Sequence, residues 1–219
     1  MRKGMPKEKE RAFSLVELLI VIGCIAILAS LLWPSFNSAR DSSKTAKSIS
    51  NLKQMAAAMH LYIADNNNML PRADGTSNDP GLDWAQALRP YGGSHRLPEP
   101  SMEQNPILLN PAGASPEWSP TSPKSSYCMN GNLQVNTPPA AGESTAPVYP
   151  ISLAKVAKPS QTVLFADCLY AGRAMNYSHL AYRNNNNTRA TMVFVDGHGE
   201  ALTRTTVSYE ANFANPPLQ

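Results

Sequence analysis

The chain has 219 residues, of which 19 are basic and 16 acidic, giving a net charge of +3. Residues 1–12 hold five of the basic and two of the acidic side chains, so the remainder carries 14 of each sign. Such a balance argues against a nucleic-acid-binding protein, which needs Lys and Arg clustered on the folded domain. The length fits one anchoring segment followed by one modest folded domain.

The first hydrophobic run follows this basic segment and extends from Phe13 to Trp33. Its 21 residues span about 31 Å as an α-helix, which is enough to cross the hydrocarbon of a bilayer. The basic residues in front of it predict that the N-terminus stays in the cytoplasm. Glu17 is the one charged residue in the run, and an ionisable group inside a membrane segment indicates a functional site with a partner.

We expect that partner to be an amine released by proteolysis. Cleavage between Ala12 and Phe13 would place a new N-terminus one helical turn from Glu17. An amine and a carboxylate about 4 Å apart attract by roughly 4 kcal/mol at an effective dielectric constant of 20. This energy is similar to the cost of about 2.5–3.5 kcal/mol for inserting a charge at the centre of a membrane helix. The pair can form within one subunit or between neighbours.

The helical pattern continues beyond Pro34 as an amphipathic helix. Its apolar positions recur at spacings of three and four residues, and they are Ile49, Leu52, Ala56, Met59 and Ile63, widened by Met55 and Tyr62. We predict one helix from Ser14 to Ala64, with a kink or local melting at Pro34. Turn-forming residues at 65–68 end it. The width of the stripe favours packing on a sheet.

The remaining chain is rich in loops and short strands. A short helix is predicted from Leu82 to Leu88, and seven prolines between Pro98 and Lys124 indicate an irregular surface loop. Strands are predicted at 126–130 and 161–167. A hairpin is predicted from 191–195 and 200–203, because Asp196-Gly197 lies between apolar runs. The predicted fold class is α+β, a long N-terminal helix on a small antiparallel sheet.

Several side chains in this second part have ligand or cross-link chemistry. Asp167, His179, Asp196 and His198 offer carboxylate and imidazole groups that suit a transition metal, although turn and capping roles explain the aspartates more simply.

Cys128 and Cys168 lie in predicted strands, where a disulfide is permitted if the domain is exported. The sequence alone does not decide whether these two cysteines form a disulfide. No glycine-flanked nucleophile or phosphate loop supports catalysis, and no cofactor is expected.

The N-terminal segment resembles the prepilin-type cleavage and methylation segment of type IV pilins and type II secretion pseudopilins. The shared features are a basic leader, a small residue before the cut, Phe13, a glutamate four residues later, an apolar helix and Pro34. The resemblance implies a pilin-like fold, cleavage after Ala12, N-methylation of Phe13, and assembly through Glu17 and Pro34. One departure is Ala12, since the family usually has glycine there.

The C-terminal half resembles a subgroup of pilin-like proteins that have a histidine, a nine-residue gap and Asp-Gly near the end. His179 and Asp196-Gly197 supply these elements here, but the gap is 16 residues. Asn184 to Asn187 has the composition of an inserted polar loop tip, which can lengthen at little entropic cost.

The two resemblances imply a structural subunit that is not an enzyme and that assembles into a pilus-like filament or a type II secretion pseudopilus. Its partners would be other pilin-like subunits, a prepilin peptidase that also methylates, the assembly platform and the inner membrane, with no nucleic acid. It would span the inner membrane once, with the C-terminal domain outside the cytoplasm, before joining a filament at the surface or in the periplasm. The expected segments are a leader at 1–12, a transmembrane assembly helix at 13–34, its amphipathic continuation at 35–66 and an exported domain at 67–219.

Three other interpretations compete for the same residues. An ordinary secretory signal would be cleaved after Ala29, which would make Ser30 the first mature residue. A single-pass anchor would keep its leader. An exported binding module would use the helix for delivery alone. Glu17 argues against the ordinary signal, and Glu17 together with the leader argues against the plain anchor. The sequence does not choose between a filament subunit and an exported binding module, because both share the helix.

Overall fold

The computed structural model describes residues 15–73, 84–92, 111, 126–136, 148–169, 174–175, 177–208 and 213. The chain divides into two compact units, residues 1–40 and residues 41–219. Ala12, Phe13 and nearly all of the loop from Pro98 to Lys124 lie outside the described residues.

The first helix, α1, extends from Leu15 to Asp65 and confirms the long helix predicted from the sequence. The helix continues through position 34, so the chain does not melt there, and a bend at that position stays a prediction. Asn67 and Asn68 follow with φ angles of 54° and 58°. Asparagine tolerates this left-handed conformation better than most residues, which explains why the helix ends at this cluster.

One face of α1 is buried in the second unit, as the stripe predicted. Leu52, Ala56, Met59 and Ile63 are at most 3% exposed. Ile49 is only partly buried, yet a Cβ built on Gly199 would lie 2.9 Å from its Cγ2 atom. A side chain at position 199 would therefore push the strand away from the helix, so glycine allows their close approach.

The second helix, α2, extends from Trp84 to Ala87, followed by a 3₁₀ turn from Arg89 to Tyr91. Leu82, where this helix was predicted to begin, lies outside the described residues. Trp84 is buried, and its ring centroid lies 5.0 Å from that of Phe165 on the sheet. The Tyr91 ring meets the Tyr62 ring edge-on at 5.9 Å. These contacts cover the end of the α1 stripe.

Seven strands form two sheets within the described residues. They are β1 Tyr127–Asn130, β2 Gln134–Asn136, β3 Val148–Pro150, β4 Val163–Asp167, β5 Ala174–Met175, β6 Arg189–Phe194 and β7 Gly199–Thr203. The main sheet has the order β5-β1-β4-β6-β7, and β2 pairs with β3. All pairs are antiparallel except that of β1 with β5, which is parallel. The α+β class is confirmed, with one short parallel strand added at the edge.

The C-terminal hairpin confirms the Asp-Gly prediction, with strand limits shifted by one or two residues. The backbone N–H of Phe194 donates to the carbonyl of His198, and that of Gly197 donates to the carbonyl of Phe194. Gly197 has a φ of 90°, a backbone conformation that residues with a side chain rarely adopt. The hairpin therefore requires glycine at this position.

Strands β1, β4 and β6 of the main sheet are buried on both faces, which the sequence did not predict. Tyr127, Phe165 and Val193 share a core with α1, whereas a second core lies on the opposite face. A register shift between Val163 and Phe165 allows the neighbours Leu164 and Phe165 to join the same core. The second core consists of Cys128, Val163, Ala166, Cys168, Leu180, Ala190, Met192, Phe194, Val207 and Phe213.

We predict that Leu52→Ala lowers the free energy of unfolding by about 2–5 kcal/mol, because it leaves a cavity between α1 and the sheet. Leu61→Ala is the matched control, since Leu61 lies on the same helix and is 56% exposed. It should change the free energy by less than about 0.5 kcal/mol. Urea unfolding of the full chain in detergent, followed by near-UV circular dichroism, measures both. Equal effects would contradict the assigned helix face.

Candidate functional site

The N-terminal part of α1 is apolar on every side. Its large apolar side chains between Leu15 and Trp33 are 47–79% exposed in the isolated chain. Glu17 is the one charged residue from Leu15 to Phe36, and Arg40 is the next. Among the described residues, α1 is the one helix long and apolar enough to cross a membrane. A helix with no polar face needs lipid or other helices around it.

Glu17 lies in the first turn of α1. A carboxylate in the first turn of a helix interacts favourably with the positive end of the helix dipole. The positions of Ala12 and Phe13 lie outside the described residues, so cleavage, methylation and the pairing of Glu17 with an amine stay predictions.

The four candidate metal ligands do not form one site. Asp196 Oδ1 accepts hydrogen bonds from the backbone N–H of His198 at 3.1 Å and pairs with His198 Nδ1 at 2.6 Å. Asp167 instead pairs with an arginine in the interior. Within the part of the chain that the structure describes, no group of three or more His, Cys, Asp or Glu side chains is placed to hold a metal ion.

The Asp196–His198 pair acts within the hairpin turn. Partial burial on its own would raise the pKa of the Asp196 carboxyl, but the hydrogen bonds from His198 outweigh it and hold this pKa below its usual value. The His198 ring also stacks on the Phe194 ring, with centroids 4.2 Å apart. These contacts give Asp196 a structural role as a turn residue.

A buried polar cluster lies between α1 and the main sheet. Ser48 Oγ is 2.8 Å from the Tyr127 hydroxyl and 2.7 Å from Thr191 Oγ1, and all three residues are fully buried. Asn184 Nδ2 donates to Thr191 Oγ1 at 3.5 Å. Burial raises the pKa of Tyr127 above its usual value, so the phenol stays neutral at physiological pH. The cluster fixes α1 to β1 and β6 at one point.

An ion pair extends this cluster. Asp167 has no exposed surface, and its Oδ1 lies 3.3 Å from Nη1 of Arg183. The other terminal nitrogen, Nη2, donates to the carbonyl oxygen of Cys168 at 2.8 Å. Because Arg183 bridges a side chain and the backbone beyond β4, it fixes the end of that strand.

The fold brings Cys128 and Cys168 together. Cys128 on β1 and Cys168, directly after β4, are joined by a disulfide with Cα atoms 6.1 Å apart. Both residues have no exposed surface. Cys24, the third cysteine, is exposed on the apolar part of α1.

A comparison with known families identifies the N-terminal segment. Residues 7–33 match the model of the prokaryotic N-terminal methylation motif. The N-terminus of this chain therefore carries a prokaryotic methylation motif. The match includes Ala12, Phe13 and Glu17, which are the residues that the sequence analysis selected.

The chain is similar to type II secretion system core protein G from several bacteria. It is 27% identical over 111 residues to the protein of Escherichia coli K12, a match that covers 48% of this chain and 74% of the relative. It is 30% identical over 64 residues to that of Pectobacterium carotovorum, a match that covers 29% of this chain and 41% of the relative. It is 32% identical over 62 residues to that of Pseudomonas aeruginosa, a match that covers 28% of this chain and 44% of the relative. No solved structure matches the chain.

The resemblance of the C-terminal half to the His and Asp-Gly subgroup is not tested by these matches, and it stays a prediction. The structure places a closed asparagine loop between His179 and Asp196. Residues Asn185 to Asn187 all have positive φ angles, of 50°, 56° and 62°. Asn184 and Arg189 close this loop by exchanging two backbone hydrogen bonds of 3.0 Å.

The buried polar cluster was not predicted from the sequence. Ser48 lies four residues before Leu52, about one helical turn, and so on the same face of α1 as the apolar stripe. A polar residue on that face was the available signal. Its partners lie 79 and 143 residues away, and no local pattern connects them.

We predict that Asp167→Asn lowers the free energy of unfolding by about 3–5 kcal/mol, because Arg183 then loses a buried countercharge. Asp41→Asn is the matched control, since Asp41 pairs with Lys44 at 3.9 Å with both side chains 32% exposed. An exposed pair contributes at most about 1 kcal/mol. Urea unfolding of both full-length variants in the same detergent tests this, and a loss for Asp167→Asn no larger than for the control would contradict the buried ion pair.

Proposed function

We propose that this chain is a structural subunit of a type II secretion pseudopilus or a related type IV pilus-like filament. The observation that carries the proposal is the apolar helix with Glu17 in its first turn, inside a matched methylation motif. The relatives named as type II secretion system core protein G favour the pseudopilus. The function is then mechanical, and the subunit is not an enzyme.

Membrane topology follows from the charges that flank the apolar helix. The basic residues of 1–12 remain in the cytoplasm, and Trp33 and Phe36, which are 69% and 65% exposed, lie at the opposite interface. Aromatic residues are enriched at this depth of a bilayer. The second unit, residues 41–219, is then outside the cytoplasm. Before assembly the subunit spans the inner membrane once.

Processing supplies the countercharge for Glu17. A prepilin peptidase cuts between Ala12 and Phe13 and methylates the new amine, which stays a cation. In the assembled filament this amine pairs with Glu17 of a neighbouring subunit. A carboxylate without such a partner would be costly among packed apolar helices, so the pair sets the axial register of adjacent subunits.

The apolar side chains of α1 supply most of the assembly energy. Large side chains that are 47–79% exposed in one chain become buried when several copies pack together, and apolar burial stabilises by about 25 cal/mol per Å². This packing is not directional, whereas the Glu17 pair is. The partners are other pilin-like subunits, the peptidase and the assembly platform in the inner membrane.

The mature chain should begin at Phe13 with a methylated amine. Intact mass measurement and N-terminal sequencing of the protein from its native membranes check this directly. A chain that starts at Met1 would indicate an unprocessed anchor, and one that starts at Ser30 would indicate ordinary signal cleavage. Either result would overturn the proposed processing.

Glu17→Ala should leave membrane insertion intact and reduce filament yield by at least about tenfold. The lost pair corresponds to roughly 4 kcal/mol by the Coulomb argument, and 1.4 kcal/mol already changes an association constant tenfold. Sedimentation of sheared filaments and fractionation of membranes measure the two properties.

Glu200→Ala is the control, because it removes an exposed carboxylate from β7 in the second unit. Its filament yield should equal that of the unaltered chain. Normal assembly of Glu17→Ala would refute the register role, even if the chain is processed as proposed.

A further inference from the structure

A cavity of about 370 Å³ lies beside the C-terminal end of α1. Its described lining residues fall between Tyr62 and Arg72, and all of them belong to the second unit. The volume is within the range of about 300–1,000 Å³ that is typical of small-molecule sites. Neither the candidate metal ligands nor the buried polar cluster contributes to it, so the roles assigned above leave this cavity unexplained.

The lining of the cavity combines an apolar surface with polar groups near solvent. Leu70 and Pro71 are buried, and Tyr62 is half-buried. Asp65 and Asn67 are exposed. A bound molecule would therefore rest on apolar side chains and meet hydrogen-bonding groups at the solvent edge.

The charges of the lining cancel. Asp65 contributes a carboxylate and Arg72 a guanidinium, so the attraction of one group for a charged ligand is opposed by the other. Asn66 and Asn67 contribute amides, which both donate and accept hydrogen bonds. A neutral ligand that also donates and accepts hydrogen bonds suits this set better than an ion does.

The cavity is shaped before any ligand arrives, because hydrogen bonds hold its walls. Asn66 Nδ2 donates to the carbonyl oxygen of Tyr62 at 2.8 Å. The N–H of Leu70 donates to the carbonyl oxygen of Ile151 at 2.9 Å. The Tyr62 ring is met edge-on by the ring of Tyr91. A preformed site loses little binding free energy to the ordering of its own groups.

Asn67 supplies an amide that the fold itself does not use. Its side chain is exposed and bonds to no other residue in the part of the chain that the structure describes. Its φ angle is 54°, a backbone conformation that glycine adopts at lower cost. Because glycine would serve this turn equally well, the amide is available to a ligand.

We propose that this cavity binds one sugar ring of a glycan chain. The faces of a pyranose ring carry C–H groups, which pack on Tyr62 and the buried apolar side chains. The edge of the ring carries hydroxyl groups, which bond to Asp65, Asn66 and Asn67. The ring is uncharged, in keeping with the balanced lining, and the cavity opens to solvent, so the chain can continue on either side. This inference goes beyond the proposed function, because it assigns a ligand to the second unit.

Binding is tested on the full-length chain in a detergent with a phosphocholine head group, since an alkyl maltoside would itself offer a sugar. The probes are β-1,4-linked trimers of glucose and of N-acetylglucosamine, and calorimetry and saturation-transfer NMR measure their binding. We expect at least one trimer to bind with a dissociation constant of about 1 mM or below. Tighter binding of the N-acetylglucosamine trimer would indicate a cell-wall type of glycan, and tighter binding of the glucose trimer a polysaccharide without acetamido groups.

Salt distinguishes a neutral ligand from an ion. Raising the salt concentration from about 50 to about 500 mM should change the dissociation constant of the trimer less than about twofold, because screening acts on charged ligands. A lysine trimer serves as the comparison probe. If it binds more tightly than both sugars and loses its affinity in salt, the cavity is a cation site and the inference is overturned.

Asn67→Gly is the decisive variant, because it removes the amide from a position where glycine fits the backbone. It should weaken binding of the trimer by about threefold or more, the effect of one lost hydrogen bond. Asn68→Gly is the matched control, since Asn68 has a nearly equal φ of 58° but does not line the cavity. It should leave the dissociation constant unchanged. Equal effects of the two variants, or no binding of either trimer, would overturn the inference.

Tyr62 tests the apolar surface of the same site. Tyr62→Phe keeps the ring and should retain most of the affinity, whereas Tyr62→Leu should weaken binding by about threefold or more. These measurements do not depend on processing or assembly. A mature chain that does not begin at Phe13 would overturn the proposed function and leave sugar binding intact, while loss of sugar binding would leave the structural role in place.

Discussion

The burial of one face of α1 against the main sheet is the constraint on which the rest of the structure depends. This contact fixes the second half of the helix in a folded unit, so its first half needs no fold of its own and can remain apolar on all sides. The Ser48 hydroxyl, bonded to Tyr127 and Thr191, adds direction to an otherwise apolar interface, because a hydrogen-bonded group has one correct register. One helix thereby combines a core element in its second half with a first half that is long and apolar enough to cross a membrane.

Features with a local cause were predictable from the sequence. The α1 limits follow from apolar spacing and the asparagine turn, and the β6–β7 hairpin follows from Asp196-Gly197. The prediction of which face of α1 is buried was also confirmed, since Leu52, Met59 and Ile63 are buried. For the same reason the methylation motif was recognisable, because Ala12, Phe13 and Glu17 lie within a few residues of one another inside the matched segment.

Features with distant partners were not predictable. The second core is formed by β-strand residues together with Leu180, Val207 and Phe213, and no periodicity relates those positions. The pairing of Cys128 with Cys168 depends on the β1–β4 register, which is a property of the folded sheet. The fold also gives partners within the chain to residues of ligand type, because Asp167 pairs with Arg183 and Asp196 pairs with His198; metal binding by these residues stays a prediction.

The asparagine loop before β6 has a practical consequence. Asn184 and Arg189 bond to each other across its base, so the strand begins at the same place whatever the residues between them do. Residues 185–188 are exposed. A short epitope or a fluorophore-binding peptide inserted at this tip would leave both cores untouched. The subunit could thus be followed by light microscopy in living bacteria while it retains its own helix and sheet.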